Sequence, residues 1–451
     1  MERVIIRAKR VVFPGGVRPA TIHIQDGRIA RIGAYDDTGQ GSTNAVAERF
    51  DAGDLVVSPG LVDTHVHVNE PGRTEWEGFD TGTRAAAAGG VTTIVEMPLN
   101  SVPATTSVMA LETKRAAARD RCHVDVAFWG GLVPGNAPDL NDLVDAGVRG
   151  FKCFLVPSGV DEFPAVGERD LREAMPLIAR RGVPLLVHAE APGLIATCGF
   201  RIADYARYAA TRPAEAEVEA IRLIVRLARE SAVRVHIVHV ASAEAAGEVA
   251  RAKVDGITIT AETCPHYLTF AAEDVPDGAT EFKCAPPIRE ARHREALWNA
   301  LARGTLDLVA SDHSPAPPAL KCPGDFTRAW GGIASLELSL AALWTAAASS
   351  VETSTLNVDL CSMTRWMSEA PARLAGLDDR KGRVAVGFDA DLVVWDPDAE
   401  WEVEPSRLQQ RHKLTPYAGR RLRGLVQTTF VRGRRVWDGR QLVAAGSGQL
   451  L

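Results

Sequence analysis

The chain has 451 residues, 46% of them apolar and 24% charged, with a formal net charge of −6. That is ordinary globular composition, long enough to bury one large core or two smaller ones, and the weak negative balance excludes the electrostatic footprint of a nucleic-acid or anionic-membrane binder. Seven cysteines, an odd number with no C-x-x-C spacing, argue against a disulfide framework or a cysteine zinc knuckle and fit a reducing cytoplasm.

The first stretch, "MERVIIRAKRVVFPGG", interrupts its apolar residues with charges and lacks the continuous apolar segment of a signal peptide. With "ATIHIQDGRIARIG" and "AERFDAGD" it predicts short strands with Gly and Asp turns over residues 1 to about 53. Eight apolar, β-branched runs follow between about residues 54 and 313: "DLVVSPGLVDTHVH", "GVTTIVEMP", "CHVDVAFWGGL", "VRGFKCFLV", "VPLLVHAE", "VRVHIVHV", "GITITAETC" and "TLDLVASDH". Most are apolar on both faces, as parallel strands covered by helices should be. Helical patterns separate them; in "AEAEVEAIRLIVRLARE", Val218, Ile221, Val225 and Ala228 share a face. "GGIASLELSLAALWTAAASSV" carries Glu337 with several Ser and Thr and predicts a buried helix rather than a membrane span. From about residue 381, "GRVAVGFDADLVVWDP" and "GRRLRGLVQTTFVRGRRVWDG" again predict short antiparallel strands. The expected fold is α/β: a (β/α)8 barrel over 54–380, with residues 1–53 and 381–451 pairing into one small β-sandwich.

The reactive residues cluster at the C-terminal ends of those runs, the barrel face on which active sites are built. His65 and His67 stand two apart, so both point the same way along a strand. Lys152 lies in the fourth run, His188 ends the fifth, His239 ends the sixth and Asp312 the eighth. A lone histidine at a strand end is most often a hydrogen-bonded core residue, and a lone Asp is often a helix cap. Six such residues converging on one mouth point instead to a metal site. Lys152 is costly in an apolar strand, and a protonated ammonium cannot ligate. Both problems vanish if its amine has combined with carbon dioxide, giving a carbamate that can bridge two cations. Two cations so held share a hydroxide and polarise a carbonyl. Imidazoles and hard oxygen donors suit zinc, with iron, cobalt or manganese also fitting. Asp312 can accept the proton of the attacking water and deliver it to the departing nitrogen. His236 and His123 are expected to point away from the mouth, His266 to support it from behind, and His313 to face the other side of its strand. Cys153 reads as a packed thiol rather than a nucleophile.

These residues resemble the amidohydrolase superfamily, and within it the cyclic amidohydrolases. The likeness covers nearly the whole chain: "SPGLVDTHVH", "GFKCF", "VHAE", "VHVAS", "AETCPHYL", "APPIRE", "SDHSP" and "KGRVAVGFDADLVVWDPD". The resemblance implies that His65, His67 and Asp312 bind one metal, that His188 and His239 bind a second, and that carboxylated Lys152 bridges them. It also implies a homotetramer. Dihydroorotases usually carry an Arg where this chain has Asn69, and a second His where "DHSPA" stands. Hydantoinases and dihydropyrimidinases usually have a Tyr where this chain has Pro157. "HVNEPGRTEWEGF", "FLVPSGVDEFP", "YARYAATRP", "KCAPPIRE" and "GDFTRAWGGIASLE" are similar instead to the branch that opens allantoin, a neutral hydantoin ring with a ureido tail. Asn69, Cys284 and Gly331 are the expected substrate contacts. The alternatives are a broad hydantoinase or dihydropyrimidinase, and a non-catalytic scaffold on the same fold.

Overall fold

The computed structural model describes residues 3–37, 48–197, 199–349 and 358–451. Its first strands are β1 (Arg3–Phe13), β2 (Gly16–Gln25), β3 (Arg28–Gly33), β4 (Glu48–Asp51) and β5 (Val56–Pro59). β1, β2 and β3 form an antiparallel meander. The β2–β3 turn is Asp26-Gly27, with φ of 51° and 82°. Left-handed geometry at both turn positions matches the twist of the flanking strands, and Asp-Gly is suited to it. β4 and then β5 lie along the other edge of β1, both parallel to it. The expectation of antiparallel pairing therefore fails at this edge. β4 begins beside Val4, at the end of the sheet where β1 itself starts, so it runs parallel to β1.

Nine short strands follow, all parallel within their sheets: β6 (Leu61–Val66), β7 (Val91–Glu96), β8 (Asp125–Phe128), β9 (Gly130–Gly131), β10 (Phe151–Phe154), β11 (Leu185–His188), β12 (Val235–Ile237), β13 (Ile259–Thr263) and β14 (Leu308–Val309). They pair in the orders β6-β7-β8 and β9 through β14. β8 and β9 are one run broken at Trp129, so eight strand positions make the barrel. Arg149 N donates to Phe128 O at 2.9 Å and Gly130 N to Gly150 O at 2.9 Å, joining the two groups. At the other seam His67 N donates to His313 O at 2.8 Å and His313 N to His65 O at 3.2 Å, closing the barrel.

Helices return the chain between strands: α1 (Phe79–Ala88), α2 (Val108–Ala118), α3 (Leu140–Asp145), α4 (Glu168–Arg181), α5 (Tyr205–Ala210), α6 (Ala214–Ser231), α7 (Ala243–Val254), α8 (Pro265–Thr269), α9 (Ala291–Ala302) and α10 (Ser339–Ser349). On α6 the buried stripe is Val218, Ile221, Ile224, Leu227 and Ala228, while Val225 is half-buried. A 3.6-residue period sets Ile224 closer than Val225 to the middle of that face. No helix among the described residues is long and apolar enough to cross a membrane.

β15 (Leu392–Glu402), β16 (Arg421–Val431) and β17 (Arg434–Trp437) then join the first sheet, in the order β17-β16-β15-β5-β1-β2-β3. Both ends of the chain thus share one sheet. Its own apolar cluster includes Ile6, Ile22, Ile24, Val57, Val394 and Phe430.

Candidate active site

β6 ends one residue before His67, so His65 and His67 leave the strand end on one side, as alternation requires. His188 is the last residue of β11, Lys152 lies in β10, and His239 and Asp312 follow β12 and β14. His239 and Asp312 have φ of 41° and 46°. Few side chains adopt that left-handed backbone, and residues held there concentrate at functional sites. All six are buried, Lys152 completely.

The six converge. His65 Nε2 lies 3.2 Å and His67 Nε2 3.5 Å from Asp312 Oδ1. The ligand-type atoms of these three lie within 4.8 Å of one another. The His65 ring is 5.5 Å from that of His67 and 5.4 Å from that of His239, and His239 is 4.6 Å from His188. Phe154 stacks on His188 at 4.6 Å, and Lys152 Nζ lies 4.9 Å from the Phe154 ring centre.

Burial pushes His67 down to about 4 and lowers His188 and His239 as well. Burial would raise Asp312, but His65, His67 and His239 outweigh it and hold the carboxyl well below its usual range. Burial pushes the Lys152 ammonium down to about 8. Neutral imidazoles and an ionised carboxylate are the forms that accept a cation. Lys152 Nζ and His239 Nδ1 are buried without a hydrogen-bond partner among the described residues. Orphaned buried polar atoms are uncommon in folded proteins, and these two sit beside the donor set, which fits divalent metal ions.

Three supporting residues escaped the sequence reading. Glu262 bridges His65 Nδ1 at 2.5 Å and His236 Nε2 at 3.0 Å. Glu190 pairs with His188 Nε2 at 2.7 Å. Asn100 sets its side-chain amide 3.4 Å from His67 Nδ1. Such partners fix which ring nitrogen faces inward. The available signal was a lone carboxylate ending an apolar strand, as in "VHAE" and "ITAET".

The other histidines singled out from the sequence do not join the donor set. His236 sits between Glu262 and Thr260, its Nδ1 2.8 Å from Thr260 Oγ1. His123 pairs with Asp80 at 2.8 Å and accepts from Gly446 N at 3.2 Å. His313 accepts from Ser335 N at 3.2 Å and faces Glu77. Both nitrogens of His266 are buried without hydrogen-bond partners among the described residues, and burial pushes it down to about 4. Burial pushes the Cys153 thiol up to about 12.

A cavity of about 540 Å3 opens over His65, His67, His188, His239 and Asp312. Gly331 is in its wall; Asn69 and Cys284 are not, and neither is Lys152. Asn69 is buried with φ of 66°, a conformation that Asn tolerates better than most residues, and its amide donates to Pro315 O at 3.4 Å. The Cys284 carbonyl accepts from Tyr208 OH at 2.6 Å. The Gly331 segment is pinned by two lysines. Lys283 Nζ donates to Ala329 O at 2.5 Å, and Lys321 Nζ donates to Trp330 O at 3.2 Å and to Gly332 O. Gly332 has φ of 139°, and a Cβ there would lie 2.4 Å from Ser314 O, so only glycine fits.

A (β/α)8 barrel with metal-type donors gathered at the C-terminal mouth defines the class: a barrel protein equipped for metal-ion chemistry. The chain belongs to the amidohydrolase family, whose profile matches residues 56–436. It is 50% identical over 433 residues to a protein named allantoinase from Streptomyces avermitilis, covering 96% of this chain and 95% of that one. It is 43% identical to an allantoinase from Arabidopsis thaliana, covering 99% and 90%. Among solved structures, an L-hydantoinase (dihydropyrimidinase) from Arthrobacter aurescens superposes with a TM-score of 0.92 at 34% identity, covering 100% of this chain and 99% of that chain.

Proposed function

We propose that the protein hydrolyses the ring of allantoin to allantoate, a step of purine and ureide catabolism. The observation that carries this reading is the run of relatives named allantoinase, matched across nearly the whole chain at up to 50% identity. The proposed metal ligands are His65, His67 and Asp312 for one ion and His188 and His239 for another, with Lys152 as a carbamate between them. Zinc suits these donors, and iron, cobalt or manganese would also fit. Such ions, when bound, polarise the ring carbonyl and make water more acidic.

The chain's own residues supply the rest. Asp312 takes the proton of the attacking water on a carboxylate oxygen and passes it to the ring nitrogen as the amide bond breaks. Glu262, Asn100 and Glu190 hold the imidazoles in orientation. An imidazole offering Nε2 inward carries its proton on Nδ1, so the Asn100 amide is best assigned with its oxygen toward His67. The Lys152 amine, depressed to about 8, is partly unprotonated near neutral pH, which is the form that combines with carbon dioxide. The proposed assembly is a cytoplasmic homotetramer whose units are 54–380 and the paired ends 1–53 and 381–451.

A broad hydantoinase or dihydropyrimidinase is the second reading, favoured by the likeness to the Arthrobacter aurescens structure. One metal-loaded preparation assayed on three rings separates the two. The expected kcat/KM for allantoin is at least about a hundredfold above that for dihydrouracil or dihydroorotate, roughly 2.7 kcal/mol of transition-state preference. Equal or faster opening of dihydrouracil selects the second reading.

A further inference from the structure

Arg212 precedes α6 and reaches the cavity wall, with 19% of its side chain exposed. Its Nε donates to Glu190 Oε1 at 3.0 Å and its Nη2 to Glu190 Oε2 at 2.5 Å. That same Oε2 pairs with His188 Nε2. Two of the three guanidinium nitrogens are therefore spent on a carboxylate that orients an imidazole of the mouth. The third nitrogen, Nη1, has no partner among the described residues, and a guanidinium donates through every nitrogen. Three other donors near it in the wall are occupied, while Trp330 Nε1, also in the wall, is buried without a hydrogen-bond partner among the described residues. Lys283 Nζ is held by Ala329 O and Thr327 O, Tyr208 OH by Cys284 O, and Thr211 Oγ1 by Tyr208 O.

The chemistry of the ring restricts what Nη1 can meet. In allantoin the ureido tail sits on the carbon next to the carbonyl that is attacked. With that carbonyl among His65, His188 and Asp312, the tail lies within a few bonds of His188, and Arg212 stands two hydrogen bonds from His188. The tail ends in a carbonyl acceptor. A neutral tail offers no charge to pair, but an N–H···O bond from a cation is stronger than one between neutral groups.

Building on the allantoin reading, we propose that Arg212 is a specificity-determining residue: Nη1 donates to the ureido carbonyl, while the rest of the fork keeps Glu190, and through it His188, in place. Arg212 thereby joins recognition of the tail to the geometry of the metal ligands. An unsubstituted hydantoin ring uses only the second of these functions.

The test measures kcat/KM for allantoin and for unsubstituted hydantoin in Arg212→Lys, Arg212→Gln and Glu190→Gln, with metal content per chain read by elemental mass spectrometry. Losing a hydrogen bond to a charged donor is expected to lower the allantoin-to-hydantoin ratio at least about tenfold in both Arg212 variants. Glu190→Gln is expected to lower both substrates by a similar factor and to reduce metal retention, leaving the ratio near that of the parent. Arg212→Lys keeps the charge beside Glu190 and carries the test if Arg212→Gln does not fold. An unchanged ratio in the Arg212 variants, with or without metal loss, overturns the assignment. A parent protein that prefers hydantoin to allantoin sinks the allantoin reading itself, whereas an unchanged variant ratio in an allantoin-preferring parent removes Arg212 alone.

Discussion

Lys152 and Lys381 are both buried, at opposite ends of the barrel, and their surroundings treat them in opposite ways. Lys381 lies at the N-terminal end, where its Nζ meets Asp125 Oδ2 at 2.6 Å, Asp391 Oδ2 at 2.6 Å and Asp389 Oδ2 at 3.0 Å. Burial alone would lower it, but the three carboxylates outweigh burial and raise it. Lys152 lies toward the mouth, its Nζ without a hydrogen-bond partner among the described residues, and burial lowers it. Carboxylates are present there too, but imidazoles already engage them: Asp312 beside His65 and His67, and Glu262 between His65 and His236. A buried lysine stays charged where carboxylates lie within hydrogen-bond distance of its Nζ, and it is freed as an amine where imidazoles hold them away from it. The first arrangement ties β8 of the barrel to the segment entering β15; the second prepares a reactive nitrogen.

The contrast is most directly broken at Lys152. Lys152→Ala is expected to abolish turnover and strip most of the metal, and a small carboxylate added to the variant should restore part of both. A variant that keeps two metals per chain and a normal rate would falsify the bridging role. Asp312→Asn is expected to lower kcat by roughly 10²–10⁴, the range that general acid-base groups supply. Near-parental turnover at neutral pH would remove Asp312 from the proton path.

Lys381→Met should act on stability rather than chemistry. Removing the cation leaves Asp391 without its lysine, while Arg432 and Arg380 still pair with Asp125 and Asp389, so the cost is at most about 3–5 kcal/mol. Denaturant unfolding should show that loss, while the folded fraction retains parental kcat. A fall in kcat at unchanged stability would mean that the two ends of the barrel are coupled.

The smallest effect is a pH signature of the metal-free protein. His67 has an ordinary value of 6.5 and is pushed down to about 4, so the unfolded chain takes the proton first as pH falls. Stability is therefore complete above about 6.5 and declines toward pH 4, by about 3 kcal/mol from His67. Lys381 has the opposite sign. Its value is raised above 10.5, so its contribution is complete below that pH and is lost only as alkali rises through the folded value. Unfolding midpoints measured across pH should show both limbs, with His67→Gln flattening the acid one. An unaltered acid limb in that variant would contradict the assignment.

Much of the barrel was legible because its signal is local. Each run of β-branched residues announces a strand, and the reactive residues follow those runs at the same end. The antiparallel reading of the terminal strands failed at β4 and β5, because direction depends on the end of the sheet at which the returning chain re-enters. Asn69 read as a substrate contact because of its place near the histidine pair. Its burial and left-handed backbone are properties of a closed loop that no spacing reveals.

By itself, then, the sequence determined the order of elements and the chemical inventory of the mouth: paired histidines on one strand face, a lysine within an apolar run, and two later histidines and an aspartate at strand ends. Periodicity and burial preference act over a few residues, so these can be read along the chain. The tertiary structure alone decided the partners. Glu262 meets His65 across 197 residues, and Arg212 meets the cavity only because the segment before α6 folds over Glu190. The barrel seam at His313 likewise joins segments that no local pattern pairs. Hydrogen-bond partners are chosen by distance in space, and barrel closure brings together residues that the sequence holds far apart.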